Sequence, residues 1–445
     1  MAIEPKRIPR AEHPISRQNF SGPALKVLYT LRDAGFQAYI VGGGVRDLLA
    51  GLAPKDFDIA TDAHPEQIRK VFRSCRLVGR RFLIAHVRFG KEILEVTTFR
   101  GPIGESHDRD ETGRILSDNI YGTLEDDAVR RDFTINGLYY DIRDYSIVDY
   151  VGGMDDLKAR RLRLIGDPEL RYREDPVRML RAVRIGNKMH FQMDPASAEP
   201  ISRLAPLLRE IPPARLFEEV LKLLLNPEAV ENFRALHWFK LWRELFPDLA
   251  TVQEHDPEHV RAFIEWALAS TAERLKHGQD VSPAFLFAAL LWPLLAARAR
   301  VLREQQGHPE HIAVAQAAEE IMARQILRVA IPKRFSIPAR EIWQMQSRFE
   351  NRRSNAPQRL MAHPRFRAAY DFLLLRAQAG EAPQELADWW TAAQTGQPIE
   401  TPPQGPEGGG EMPADEVGAP PGRRRRRRGR GGGGGGQSPP PQPQG

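Results

Sequence analysis

The sequence predicts an α+β chain: a small head built from a mixed sheet with helices, then an all-α neck and body, then a disordered C-terminal tail. Three observations carry that expectation. Through residue 168, short apolar runs alternate with helical stripes, and glycines punctuate them. From Ile211 to about Trp390 the patterns are helical, as in R-L-F-E-E-V-L-K-L-L-L and F-L-F-A-A-L-L-W, and no run of alternating strands interrupts them. After Thr395 the composition collapses to Gly, Pro, Gln and Arg, which cannot bury a core. The expected division is a flexible arm over 1–20, a head over 21–168, a neck over 169–225, a body over 226–395 and the tail over 396–445.

Composition bounds the rest. The 445 residues, 42% of them hydrophobic, are enough for two or three domains with cores. The net charge of +6 is uneven. Seven arginines at 423–428 and 430 stand against Glu407, Glu411, Asp415 and Glu416, so half of it, +3, sits after residue 400. Such a tail attracts polyanions without sequence preference and could also dock a protein partner. A single cysteine, Cys75, leaves no intrachain disulfide framework and fits a reducing cytoplasm. The first residues show no apolar secretory stretch. The apolar run from Ala284 to Ala297 contains Pro293 and is too short for a bilayer, so it reads as a buried helix, and no membrane partner is expected.

Taken in order, residues 1–20 are polar and contain proline, which suggests a loose arm. Ser21-Gly22-Pro23 opens a helix with Leu25, Leu28 and Leu31 on one stripe, closed at Gly35. Phe36 to Val41 reads as a buried strand. Gly42, Gly43 and Gly44 follow, then a helical V-R-D-L-L-A ending at Gly51. Glycines between strand and helix let backbone N–H groups approach an anion, so Gly43, Gly44 and Arg46 are candidates to cradle phosphates. Asp56 and Asp58 lie two apart on an expected strand and therefore share a face. Two adjacent carboxylates repel unless a cation joins them, and hard oxygen ligands suit Mg²⁺. Each half alone also fits a plain glycine turn or a solvated edge; together they fit a phosphoryl-transfer site with two Mg²⁺ ions.

His64-Pro65-Glu66 opens a short helix, and residues 76–99 read as two or three strands with a turn at Gly90-Lys91. Glu95, flanked by Leu94 and Val96, either faces the aspartates or is an ordinary edge glutamate. Residues 101–119 read as a mobile loop and Leu124 to Tyr139 as helical, with Arg130, Arg131 and Asp132 together before an apolar segment. From Glu174 to Lys188 the pattern is helical, which would put Asp175 and Arg178 on one face. That spacing gives an ordinary ion pair. It also gives a base reader, because a carboxylate can accept from an exocyclic amine while a guanidinium donates to the adjacent ring nitrogen. Adenine and cytosine both present that edge; guanine and uracil do not. The basic and aromatic stretch at 333–353 could grip RNA or could be an amphipathic helix. The histidine pairs 255/259 and 308/311 lack a third ligand and do not suggest a metal site.

The motifs G-G-G-V-R-D, K-D-F-D-I-A-T, R-R-D-F-T-I-N, Y-V-G-G-M-D-D-L and R-Y-R-E-D-P-V-R-M-L-R-A-V-R resemble the template-independent RNA nucleotidyltransferases, which comprise bacterial poly(A) polymerases and CCA-adding enzymes. The resemblance spans about residues 20 to 220. It implies a nucleotidyltransferase head and makes Asp132 a third essential carboxylate beside Asp56 and Asp58. It likewise implies that Arg130 and Arg131 contact the nucleotide and that Glu174-Asp175-Pro176-Val177-Arg178 is the base-reading motif. The segment Cys75 to Val87 resembles the poly(A) polymerase branch, whereas CCA-adding enzymes have a shorter version. The implied activity is transfer of AMP from ATP to RNA 3′ ends, marking RNA for turnover. The alternatives are tRNA CCA addition and a non-catalytic RNA-binding protein that works through its tail.

Overall fold

A computed structural model describes residues 4–79, 82–102 and 119–395. The disordered-tail expectation and most of the expected loop over 101–119 fall outside these residues.

The head is organised on one eight-stranded mixed sheet. Its strands are β1 (Lys6–Ile8), β2 (Ala38–Val41), β3 (Asp58–Thr61), β4 (Cys75–Val78), β5 (Ile84–Phe89), β6 (Glu92–Thr98), β7 (Leu138–Asp141) and β8 (Ile147–Asp149). Their spatial order is β1-β8-β7-β2-β3-β6-β5-β4, antiparallel throughout except for the parallel β3–β6 pair. Period-2 alternation sorts the side chains. Ile40, Ile59, Val96, Leu138 and Ile147 face one side, against Val27, Leu28 and Leu31 of helix α1 (Gly22–Asp33). Tyr39, Val41, Ala60, Tyr139 and Val148 face the other. Short helices α2 (Gly43–Leu49), α3 (Pro65–Val71), α4 (Leu124–Arg130) and α5 (Gly153–Lys158) complete the head, with Leu124 and Ala128 of α4 covering the second face.

Three expectations are corrected here. The arm over 1–20 is not loose along its length: Lys6, Arg7 and Ile8 pair with Asp149, Val148 and Ile147, and Ile15 and Phe20 are buried in the head core. The helix expected over Leu124–Tyr139 stops at Arg130, and Leu138–Asp141 is a fully buried strand. Strands covered on both faces read as continuous apolar runs, which periodicity cannot separate from a helix. The helix expected from Glu174 is in fact two, α6 (Pro168–Glu174) and α7 (Val177–Met189), broken at Asp175-Pro176. Asp175 adopts φ −151°, ψ 90°, the extended conformation that a following proline imposes.

Beyond α7 the described residues, which end at Thr395, are helical, apart from a two-residue strand at Gln192–Met193 that pairs with Arg161–Leu162. One continuous core runs from Phe133 and Leu164 at the head's end, through Leu180 and Val183 of α7, to Phe287, Ile321 and Trp343 in the body. An 18-residue stretch of the helix Pro283–Gln306 has a mean hydropathy of 1.7, and the helix sits inside this core, as the sequence reading of a buried helix requires.

Candidate active site

The site begins at the turn from β2 into α2. Gly42 caps the helix with φ 76°, a conformation that L side chains rarely adopt. A Cβ there would also come within 3.5 Å of the Arg131 guanidinium and 3.6 Å of Asp58 Oδ2. Gly44 is required for packing, since its Cβ would meet the Phe57 ring at 3.0 Å and the Asp56 carbonyl at 3.2 Å. Gly43 has only Arg46 Nη2 nearby, at 3.6 Å. Arg46 itself is buried and committed: it donates to Asp47 Oδ1 at 2.6 and 2.9 Å and to Asn136 Oδ1 at 2.7 Å. It therefore fixes α2 against the segment after α4.

Asp56 precedes β3 and Asp58 opens it, with Phe57 buried between them on the opposite side. Glu95 of β6 stands directly across from Asp58 in the parallel pair, so the two carboxylates share a face. The edge-glutamate alternative still describes part of Glu95, which is half exposed and lies 3.6 Å from His86. Burial pushes the Asp58 carboxyl up to about 6, helped by Glu95 and Asp56 and opposed by Arg131 and Arg181. Among the described residues, no set of three His, Cys, Asp or Glu side chains stands together as a ready ion site. Asp132 is held by partners of its own. It accepts from Arg181 at 2.6 Å, from Asn136 at 3.0 Å and from its neighbour's backbone N–H. Burial resists its ionisation, but Arg181 and these donors hold it well below the usual carboxylate range.

Beside the acids opens a pocket of about 260 Å³ lined by Arg130, Arg131, Asp132, Asp175 and Arg178. Five expected site residues, from α4, the loop after it and the α6–α7 break, are thus brought to one place. Arg100, Arg181, Arg215 and Glu219 line it too. Asp175 and Arg178 do not pair with each other. Arg215 holds Asp175 at 2.8 Å, while Arg178 donates to Glu174 at 3.2 Å and to the Arg171 carbonyl at 2.6 Å. Arg171 donates to the carbonyls of Arg130 and Arg131 at 2.7 and 2.6 Å, tying α6 to the head. Burial, then the nearby Arg178, pulls the Arg171 guanidinium down to about 9. This crowd of cations suits a polyphosphate ligand.

Arg131 spans the two halves of the site. It donates to Asp127 and Tyr139 behind it, and its free edge lies against Gly42. Sequence reasoning singled out Glu174 only as part of its motif and missed Arg171, Arg181 and Arg215. Arg215 meets Asp175 only through the tertiary fold.

A glycine-capped helix, a carboxylate pair on the sheet and a cationic pocket define a nucleotidyltransferase. The match to the Poly A polymerase head domain covers residues 38–163. The "Probable RNA and SrmB-binding site of polymerase A" matches 190–252, and the polymerase A arginine-rich C-terminus matches 306–431. Poly(A) polymerase I of Salmonella typhi is 49% identical over 403 residues, which are 88% of this chain and 86% of that protein. The CCA-adding enzyme of Lactobacillus helveticus is 38% identical over 231 residues, 52% of this chain and 56% of that protein. The crystal structure of the Bacillus stearothermophilus CCA-adding enzyme in complex with CTP superposes with a TM-score of 0.51 at 27% identity, covering 86% of this chain and 85% of the other. The chain belongs to the poly(A) polymerase I family.

Proposed function

We propose that the chain extends RNA 3′ ends with AMP from ATP, without a template. The RNA 3′-hydroxyl oxygen bonds to the α-phosphorus, the bond from that phosphorus to the bridging oxygen breaks, and pyrophosphate leaves. The observation that carries this reading is the convergence of Arg131, Asp175 and Arg178 on one pocket beside the Asp56–Asp58 pair.

Asp56 and Asp58 fit two Mg²⁺ ions. They are same-face carboxylates, one of them held at a pKa that a neighbouring dication would relieve. Bound there, such ions would lower the pKa of the attacking hydroxyl and neutralise charge on the leaving pyrophosphate. Glu95 adds negative charge on the same face. The N–H of Gly43, with Arg130 and Arg131, binds the triphosphate. Asp132, ionised and held by Arg181, acts as an acceptor in the nucleotide pocket rather than as a third metal ligand. Arg215 and Glu174 fix Asp175 and Arg178 so that they meet the amine and ring nitrogen of the base. A lone cysteine and a buried apolar helix accord with a cytoplasmic enzyme.

CCA addition remains the second reading, because the base-reading pair accepts cytosine as well as adenine. Purified chain with Mg²⁺, a short unstructured RNA and each nucleoside triphosphate singly tests both. Long, heterogeneous tails from ATP alone support polyadenylation. Extension confined to tRNA, stopping at C-C-A, would overturn it.

A further inference from the structure

Arginines of the helical body are mostly paired. Arg234 meets Glu265 at 2.6 Å, Arg274 meets Asp371 at 3.0 Å and Arg298 meets Glu320 at 2.7 Å. A cluster of three departs from this. Between the helices Lys333–Met345 and Ala356–Met361 the chain makes a single turn, Ser347–Glu350, and then a loop. Arg348, Arg353 and Arg359 line one concavity there, of about 670 Å³, together with Ser347, Asn351 and Asn355, and no acid lines it. All three arginines are exposed, and among the described residues none of them forms an ion pair. Over 347–363 four arginines face one acid, Glu350, a net charge of +3.

The concavity is also held in shape. Phe349 is fully buried against Trp390, with ring centroids 5.0 Å apart, and its carbonyl accepts from the Trp390 indole at 2.8 Å. Asn351 Oδ1 accepts from the Arg353 backbone N–H at 3.2 Å, fixing the loop that carries the guanidinium groups. Like charges gathered without counterions are costly unless an anion is bound, and a guanidinium fork matches phosphate oxygens two at a time. The hydroxyl and amide donors around them complete a surface for phosphate and sugar contacts.

We propose that this concavity binds the sugar–phosphate backbone of the RNA being extended, apart from the nucleotide pocket. It rests on the reading of the chain as an enzyme that acts on RNA. The test uses the full chain carrying Arg348→Gln, Arg353→Gln and Arg359→Gln. A control carries Arg303→Gln, Arg324→Gln and Arg367→Gln, whose parent side chains pair with Glu310, Asp248 and Asp371. Binding of a fluorescent single-stranded RNA is followed by anisotropy over a salt series. The first variant should lose up to about 2 units of slope in log K against log salt, and its Kd at low salt should rise about tenfold. Its KM for RNA should rise with kcat unchanged, and the control should match the parent. A slope equal to the parent's, or an equal loss in the control, would overturn the site and leave these arginines to an acidic protein partner. Failure to transfer AMP with the slope change intact would overturn the proposed function and leave the site standing.

Discussion

At Asp58 burial, Glu95 and Asp56 together disfavour a negative charge. A carboxyl whose pKa is near 6 when folded and 3.8 otherwise binds its proton more tightly in the folded chain. Its stabilising contribution is full below pH 3.8 and is lost as the pH rises through 6. In chelator, Asp58→Asn should therefore melt higher than the parent near neutral pH, by at most about 3 kcal/mol, and the difference should vanish towards pH ~4. The same substitution should remove AMP transfer by several orders of magnitude while RNA binding persists, because only the site face is altered. Calorimetry over a pH series and a gel extension assay measure the two effects. Arg178→Ala should weaken discrimination among bases by about 1–3 kcal/mol and leave triphosphate affinity nearly unchanged, as read from competition between nucleotides. The residues proposed as metal-binding acids, phosphate-facing glycines and base readers stood out as motifs because chemistry dictates both residue type and spacing. What holds them was not, since Arg215 reaches Asp175, and Arg181 reaches Asp132, through contacts that no local pattern encodes.

Among the elements, the edge strand β1 shows where sequence reading fails. Three residues, K-R-I, carry no alternation long enough to count, and their partner strand begins far along the chain at Ile147. Deleting residues 4–9 should strip the edge of β8, expose the core beneath Ile8 and lower the melting temperature by several degrees, about 1–3 kcal/mol. A loose arm would give no change. At the other end of β8, Asp149 accepts from the backbone N–H groups of Val151, Gly152, Gly153 and Met154 at 2.9–3.0 Å. Those donors begin α5 and have no helical partner of their own. Asp149→Ala should cost about 2–4 kcal/mol in chemical denaturation, more than a typical cap, because it strands several donors around one carboxylate. The break at Pro176 follows a related logic: proline's signal was present in the sequence, and helical spacing on either side concealed it.

For the molecule as a whole, head, helical neck and helical body were all legible, because long periodic segments leave little room for another fold class. The order of the sheet was not, since it depends on pairings between distant strands. The activity prediction belongs at this scale as well. On an RNA unrelated to tRNA, the full chain should build long tails from ATP and add few residues from CTP, as resolved on a sequencing gel. Truncation after Gln394 removes the seven tail arginines and should flatten the salt dependence of RNA binding by up to about 0.7 units per lost phosphate contact, with turnover at saturating RNA little changed.

Around the site the neck reaches back to the head through Arg171 to the carbonyls of Arg130 and Arg131, Arg181 to Asp132, and Lys188 to Asp47 at 2.6 Å. A ribosome delivers these segments in sequence. When Asp58 leaves the exit tunnel, the carboxylates exist but the wall of the nucleotide pocket does not, and Arg215 comes 157 residues later. At a synthesis rate of about 5–20 residues per second, the nascent head waits roughly 8–30 s for its pocket. During that interval the head is tethered to the ribosome without the neck's share of the nucleotide pocket, and AMP transfer is expected only once the neck has been translated and docked.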